Sequence, residues 1–189
     1  MSTAPAGGSQ HRELFLAWQR GDYETARAGF RDLAERDPAD VDAWRGLGSV
    51  LWSLRSFDAC LDAFQQALRC EPLSPVHWSD VGLALRDLAR TRLALQAFEV
   101  ALSLDADYAP AWNERSNVYY DMGRYAEALP GYDRAIVLCP GIAVYHHNRA
   151  ECLLATGDRP GARGGFRDAV SIDPRYAFAL RRLRQLARS

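Results

Sequence analysis

Apolar positions along the chain recur with a helical period, and the helices they predict come in pairs. Trp44, Leu47, Val50, Leu51 and Leu54 fall on one helical face. After a short break, Ala59, Ala63, Phe64, Ala67 and Leu68 form a second stripe. The same two-helix figure returns every 34 residues. Stepping by that interval from Phe30 lands on Phe64, Phe98, Tyr132 and Phe166, and from Ala26 on Cys60, Ala94, Ala128 and Ala162. From Trp44 it lands on Trp78, Trp112 and His146, from Gly48 on Gly82, Ser116 and Ala150, and from Pro38 on Pro72, Ala106, Pro140 and Pro174. So strict an interval predicts a repeat architecture, because one helical hairpin cannot bury its own stripe whereas stacked copies form a shared core.

The residues at the ends of the stripes agree with this reading. Gly21, Gly123 and Gly157 stand where a first helix must stop, and glycine tolerates the left-handed C-cap required there. Asp40 and Ser74 are placed for their side-chain oxygens to cap the next first helix. Small residues such as Gly48, Gly82 and Ala128 leave room for an aromatic ring of the neighbouring turn. One pair departs from the pattern. Pro130 and Gly131 fall inside the second helix of the fourth unit, where proline removes a helix hydrogen bond and acts either as a kink on the outer face or as a hinge.

The motif W-x2-L-G-x2-L from Trp44 to Leu51 recurs as W-x2-V-G-x2-L from Trp78 to Leu85. With the small residue, the aromatic four later, the alanine three beyond it (Ala67, Ala101, Ala135, Ala169) and the closing proline, these residues resemble the tetratricopeptide repeat (TPR). The resemblance implies an all-α fold: a right-handed α-solenoid of five helix-turn-helix repeats of 34 residues, at 9–40, 41–74, 75–108, 109–142 and 143–176. A C-terminal capping helix over 177–189 would follow, with Leu180, Leu183 and Ala187 as its apolar stripe, and residues 1–8 would be a disordered tail.

Composition narrows the function classes. The chain is 48% hydrophobic and 25% charged, as a folded soluble domain is. Its formal net charge of −1 supplies no field toward nucleic acid or an anionic membrane, so neither is an expected partner. With no signal-peptide pattern at the start and no apolar run of membrane-spanning length, a cytoplasmic location is expected. The four cysteines show no CxxC pairing and are expected to be reduced and mostly buried. No two histidines have the i, i+4 spacing of a metal site, and each is expected to be satisfied or to face solvent. Gly161 to Phe166 is glycine-rich but lies in a helical pattern and follows no strand, so it is no phosphate loop. The carboxylates read as helix starts and outer faces. No enzyme activity, cofactor or metal is expected.

In the resembling family, first helices line a concave groove, and the matching places here give Trp18, Arg45, Trp52, Arg86, Asn113, Asn117, Tyr120, His147, Asn148, Arg181 and Arg182 as a candidate peptide-binding face. Aromatic rings, amides and arginine forks suit a peptide. Trp18 and Trp52 either face the groove or pack on neighbouring first helices. Asn113 and Asn117 are expected to look to solvent or ligand. Some family members hold a chaperone's C-terminal carboxylate with a clamp of lysine, asparagine, asparagine, lysine and arginine; here the places hold Asn113, Asn117, Asn148, Phe178 and Arg182, and both lysines are missing. The terminal helix, with Arg175, Arg181, Arg182, Arg184 and Arg188, either only caps the solenoid or also anchors an acidic segment. The function implied is a non-catalytic adaptor that binds a peptide or helical segment of a partner protein. The alternatives are a self-associating assembly, with weak self-association possible in either case, and a bacterial secretion-type chaperone.

Overall fold

The computed structural model describes residues 7–187. These are helical throughout, with no strand among them: α1 (Gly7–Gln19), α2 (Tyr23–Arg36), α3 (Val41–Ser53), α4 (Phe57–Cys70), α5 (Pro75–Asp87), α6 (Thr91–Leu104), α7 (Ala109–Asp121), α8 (Tyr125–Leu138), α9 (Ala143–Ala155), α10 (Arg159–Ile172) and α11 (Ala177–Leu186). The fold is all-α, built of consecutive helix-turn-helix pairs as the resemblance implies. It divides into two compact units, residues 1–97 and 98–189, with the boundary inside α6. Within the units, α3 packs against both α4 and α2, and α9 against both α10 and α8. Of the expected N-terminal tail, residues 1–6 lie outside the described residues, and Gly7 and Gly8 belong to α1. Arg188 also lies outside them.

Each hairpin closes through the same backbone device. A left-handed residue recurs at Gly21, Arg55, Ala89, Gly123 and Gly157, with φ of 82°, 58°, 56°, 72° and 89°. At every one of these turns the next amide reaches back five residues, as Asp22 N–H does to Ala17 O and Ser56 N–H to Leu51 O, both at 2.9 Å. This satisfies first-helix carbonyls that would otherwise be orphaned. The following first helices start on side-chain caps where the sequence offers them: Asp40 accepts from Ala43 N–H at 2.9 Å and Ser74 from His77 N–H at 3.4 Å.

The repeating tryptophan ties the turn between hairpins to the next first helix. Trp44, Trp78 and Trp112 donate their indole N–H to the carbonyls of Pro38, Pro72 and Ala106 at 3.0, 2.8 and 2.8 Å. Where the series breaks, His146 Nε2 donates to Pro140 O at 2.9 Å, which fixes the Nε2–H tautomer and preserves the tie. A carbonyl is all the partner position requires, so Ala106 serves as well as proline.

Packing follows the stripes, with local corrections. Phe30, Phe64, Phe98, Tyr132 and Phe166 are all buried, as are Ala26, Cys60, Ala94, Ala128 and Ala162. A Cβ on Gly48 would overlap the Phe64 ring, and one on Gly46 the Phe30 ring, so these glycines set the close approach of α3 to its neighbours. Ala59 is exposed, and Cys60 and Leu61 take the inward places. In α11 the buried residues are Ala179 and Leu186, with Leu183 half-buried and Ala187 exposed, so the helix is rotated from the expected stripe. α8 continues through Pro130, which is exposed, while Gly131 is buried against Ser116. Cys60 and Cys152 are buried but Cys70 and Cys139 are exposed, so half of the thiols depart from the expected burial.

Candidate functional site

In the first unit, the inner-face candidates Trp18, Arg45, Trp52 and Arg86 sit on α1, α3 and α5, and each is bonded to another side chain. Trp18 Nε1–H donates to Ser53 Oγ at 2.9 Å and Trp52 Nε1–H to Asp87 Oδ2 at 2.5 Å, so both indoles bind neighbouring first helices. Trp52 still keeps 39% of its surface exposed. Arg45 Nε donates to Asp80 Oδ2 at 2.9 Å, and Arg86 contacts Asp87 Oδ1 at 3.4 Å. Burial raises the Asp80 carboxyl above its usual range, and the Arg45 guanidinium opposes that shift. His11, Phe15, Trp18, Phe30, Arg45 and Ser49 are among the residues around a cavity of about 330 Å³.

In the second unit, Asn113, Asn117 and Tyr120 come from α7, His147 and Asn148 from α9, and Arg181 and Arg182 from α11. Asn113 is 3% exposed. It donates to Glu114 Oε1 at 3.0 Å and accepts from Asn148 Nδ2 at 2.9 Å. Asn117 donates to Glu114 Oε2 at 3.1 Å and accepts from the Tyr132 hydroxyl at 2.7 Å. The expectation that these amides look outward therefore gives way to an internal network: one carboxylate spans two amides, and a tyrosine takes the place where the other repeats carry phenylalanine.

Arg182 is likewise engaged. Its guanidinium grips Glu151 with both prongs, at 2.5 and 2.7 Å, and this bidentate bond raises the arginine pKa. His147 Nε2 lies 3.7 Å from Glu151 Oε1, and its ring is packed against Phe166, Tyr176 and Phe178 at centroid distances of 5.3, 5.4 and 6.2 Å. It is neither solvent-facing nor satisfied at both nitrogens, since Nδ1 is buried without a partner. Burial lowers its pKa, with Glu151 pulling the other way. The carboxylate clamp is thus doubly broken, lacking two lysines and having its arginine already paired. Arg181 is exposed. Tyr120, His147, Glu151, Phe178, Arg181 and Arg182 surround a cavity of about 440 Å³.

Sequence reasoning missed the acids. Asp80, Asp87 and Glu114 lie on first helices beside the candidates, as does Glu151, and not on outer faces. A signal existed: Trp18–Ser53, Arg45–Asp80, Trp52–Asp87 and Asn113–Asn148 are all 35 residues apart. One residue beyond the repeat interval reaches the adjoining place on the next first helix. Among the described residues, no group of three or more histidine, cysteine, aspartate or glutamate side chains is placed to hold a metal, and no helix is long and apolar enough to cross a membrane.

Profiles described as tetratricopeptide repeat match residues 16–75 and 109–142. No curated protein sequence matches the chain. Among solved structures, TTC0263, a thermophilic TPR protein of Thermus thermophilus, is similar over 97% of this chain and 100% of its own, with 19% identity and a TM-score of 0.87. PilF of Pseudomonas aeruginosa is similar over 95% of this chain and 86% of its own, with 18% identity and a TM-score of 0.77. YrrB, a TPR protein with an unusual peptide-binding site, is similar over 91% of this chain and 89% of its own, with 23% identity and a TM-score of 0.61. With two profile matches, the 34-residue helical hairpins and these structural likenesses in agreement, the chain belongs to the tetratricopeptide-repeat family, whose fold serves in general as a scaffold for protein–protein interaction.

Proposed function

We propose that the protein is a non-catalytic cytoplasmic adaptor that holds a peptide or helical segment of a partner protein against the inner face of its first helices. The observation that carries this reading is the cavity of about 440 Å³ in the second unit, where Tyr120, His147, Arg181 and Arg182 converge from α7, α9 and α11. Phe178, 61% exposed beside it, offers an apolar surface, and exposed Arg181 offers a charge. A pre-formed surface of this kind spends little on ordering the receptor. The ligand is a segment with an apolar anchor beside a carboxylate, and not a bare C-terminal carboxylate, because Glu151 already fills the Arg182 fork. The peptide-binding site named for YrrB is consistent with this use of the fold.

The test replaces exposed Arg181 and half-buried Tyr120 and spares Asn113, Asn117 and Arg182, which also hold the hairpins together. Peptides selected from a displayed random library on the wild-type protein are titrated against Tyr120→Ala/Arg181→Glu. The expected result is a loss of about tenfold or more in affinity with the helical fold retained, as read by circular dichroism. Equal affinity for the variant, or a library that yields no binder, overturns the assignment. Light scattering that records a mass rising with concentration in wild type but not in the variant would make self-association the better account.

A further inference from the structure

Arg159, Arg163 and Arg167 are spaced four apart on α10, so they rise along one side of the helix by about 6 Å per step. With Pro160, Gly164 and Leu186 they line a cavity of about 440 Å³ that shares no residue with the inner-face cavity. All three arginines are exposed, and no carboxylate is among the lining residues. Arg163 has a structural task, since its Nη2 donates to Leu186 O at 2.9 Å and so satisfies the last turn of α11. No such task accounts for Arg167, which meets no carboxylate among the described residues. Arg175, Arg181 and Arg184 meet none there either.

Elsewhere in the molecule a number of arginines meet a carboxylate, among them Arg27 with Glu24, Arg36 with Asp32, Arg90 with Asp58, Arg124 with Glu127, Arg134 with Asp107 and Arg149 with Asp133. The sequence shows where positive charge is in excess. Residues 1–158 hold fifteen arginines and twenty-two carboxylates, whereas 159–189 hold eight arginines and two carboxylates. Apart from the Arg182–Glu151 pair, the stretch from residue 159 on therefore carries an excess of positive charge that suits an acidic ligand.

We propose that the α10–α11 face docks an acidic peptide segment of a partner protein, with carboxylates repeating at the pitch of the arginine row. A helix with acids at every fourth residue, or an extended segment with acids at every second, repeats at about 6–7 Å and matches that row. Planar guanidinium forks take carboxylates in bidentate fashion. Single-stranded nucleic acid is the poorer fit: no aromatic ring lines the cavity to stack a base, and the chain as a whole is not basic.

The experiment is a fluorescence-anisotropy titration of labelled octaglutamate with the full chain at low and at physiological ionic strength. Wild type is expected to bind with an affinity that falls as salt rises. Arg159→Glu/Arg167→Glu is expected to lower the affinity by about tenfold or more, while Arg31→Glu, at an exposed position on α2, stays within about twofold, which separates this site from charge elsewhere on the chain. Arg167→Ala, at an exposed position, is the second variant should the double one fail to fold, with an expected loss of about threefold. Absence of octaglutamate binding, equal affinity in the α10 variants, or displacement of octaglutamate by a lower concentration of single-stranded oligothymidylate overturns the proposal.

Discussion

Arg55 and Ala89 occupy the position that glycine fills in three of the five turns, with φ of 58° and 56°. A non-glycine residue in that conformation costs about 1–2 kcal/mol, and the extra unfolded-state freedom of glycine returns about 0.5–1 of it. Arg55→Gly and Ala89→Gly should each stabilise the fold by up to about 1 kcal/mol, read as a higher denaturant midpoint at unchanged slope. The glycine turns were legible as residue types; the two others were legible only by counting along the repeat, because neither arginine nor alanine signals a turn. His147 carries a second prediction at this scale. Burial lowers its pKa below the ordinary 6.5, so the folded chain binds fewer protons than the unfolded one as pH falls below that value. Stability is therefore full above about pH 6.5, declines as pH drops through the window between the two pKa values, and levels off below the folded one. His147→Phe should flatten that part of the stability profile measured by chemical denaturation.

At the scale of helices, two glycines in similar settings should respond in opposite directions. Alanine is preferred over glycine inside a helix by about 1 kcal/mol. At Gly164, where an added Cβ meets nothing, Gly164→Ala should realise that gain as a higher melting temperature. At Gly48 the same methyl overlaps the buried Phe64 ring, and overpacking of about 1–3 kcal/mol outweighs the helix preference, so Gly48→Ala should melt lower. These seams were legible because a small residue and an aromatic recur at fixed places. The lateral bonds between first helices were less so. Trp52 to Asp87 and Asn113 to Asn148 depend on how neighbouring helices cross, which periodicity does not specify, and the role of Glu114 rests on side-chain rotamers that no spacing rule contains. The candidate residues lie on α1, α3, α5, α7, α9 and α11, but which of their polar groups remain available for a ligand was not readable.

Across the whole chain, thiol reactivity offers a simple test of the packing. Burial pushes Cys60 up to about 12 and Cys152 up to about 11, whereas Cys70 and Cys139 are exposed. Two thiols should react quickly with an aromatic disulfide reagent in the native protein and all four after unfolding, and Cys70→Ser/Cys139→Ser should abolish the fast phase. Charge is apportioned as unevenly as reactivity: acids prevail through residue 158 and arginines beyond it. Against that background, Glu151 on Arg182 acts as a tethered rival to any incoming acid. Its effective concentration is on the order of millimolar or higher, so dissolved metabolite anions at lower concentrations leave the fork closed. Only a segment already held through other contacts can compete, so the pair lowers the affinity of every carboxylate that would use the fork and leaves occupancy to ligands with additional anchors.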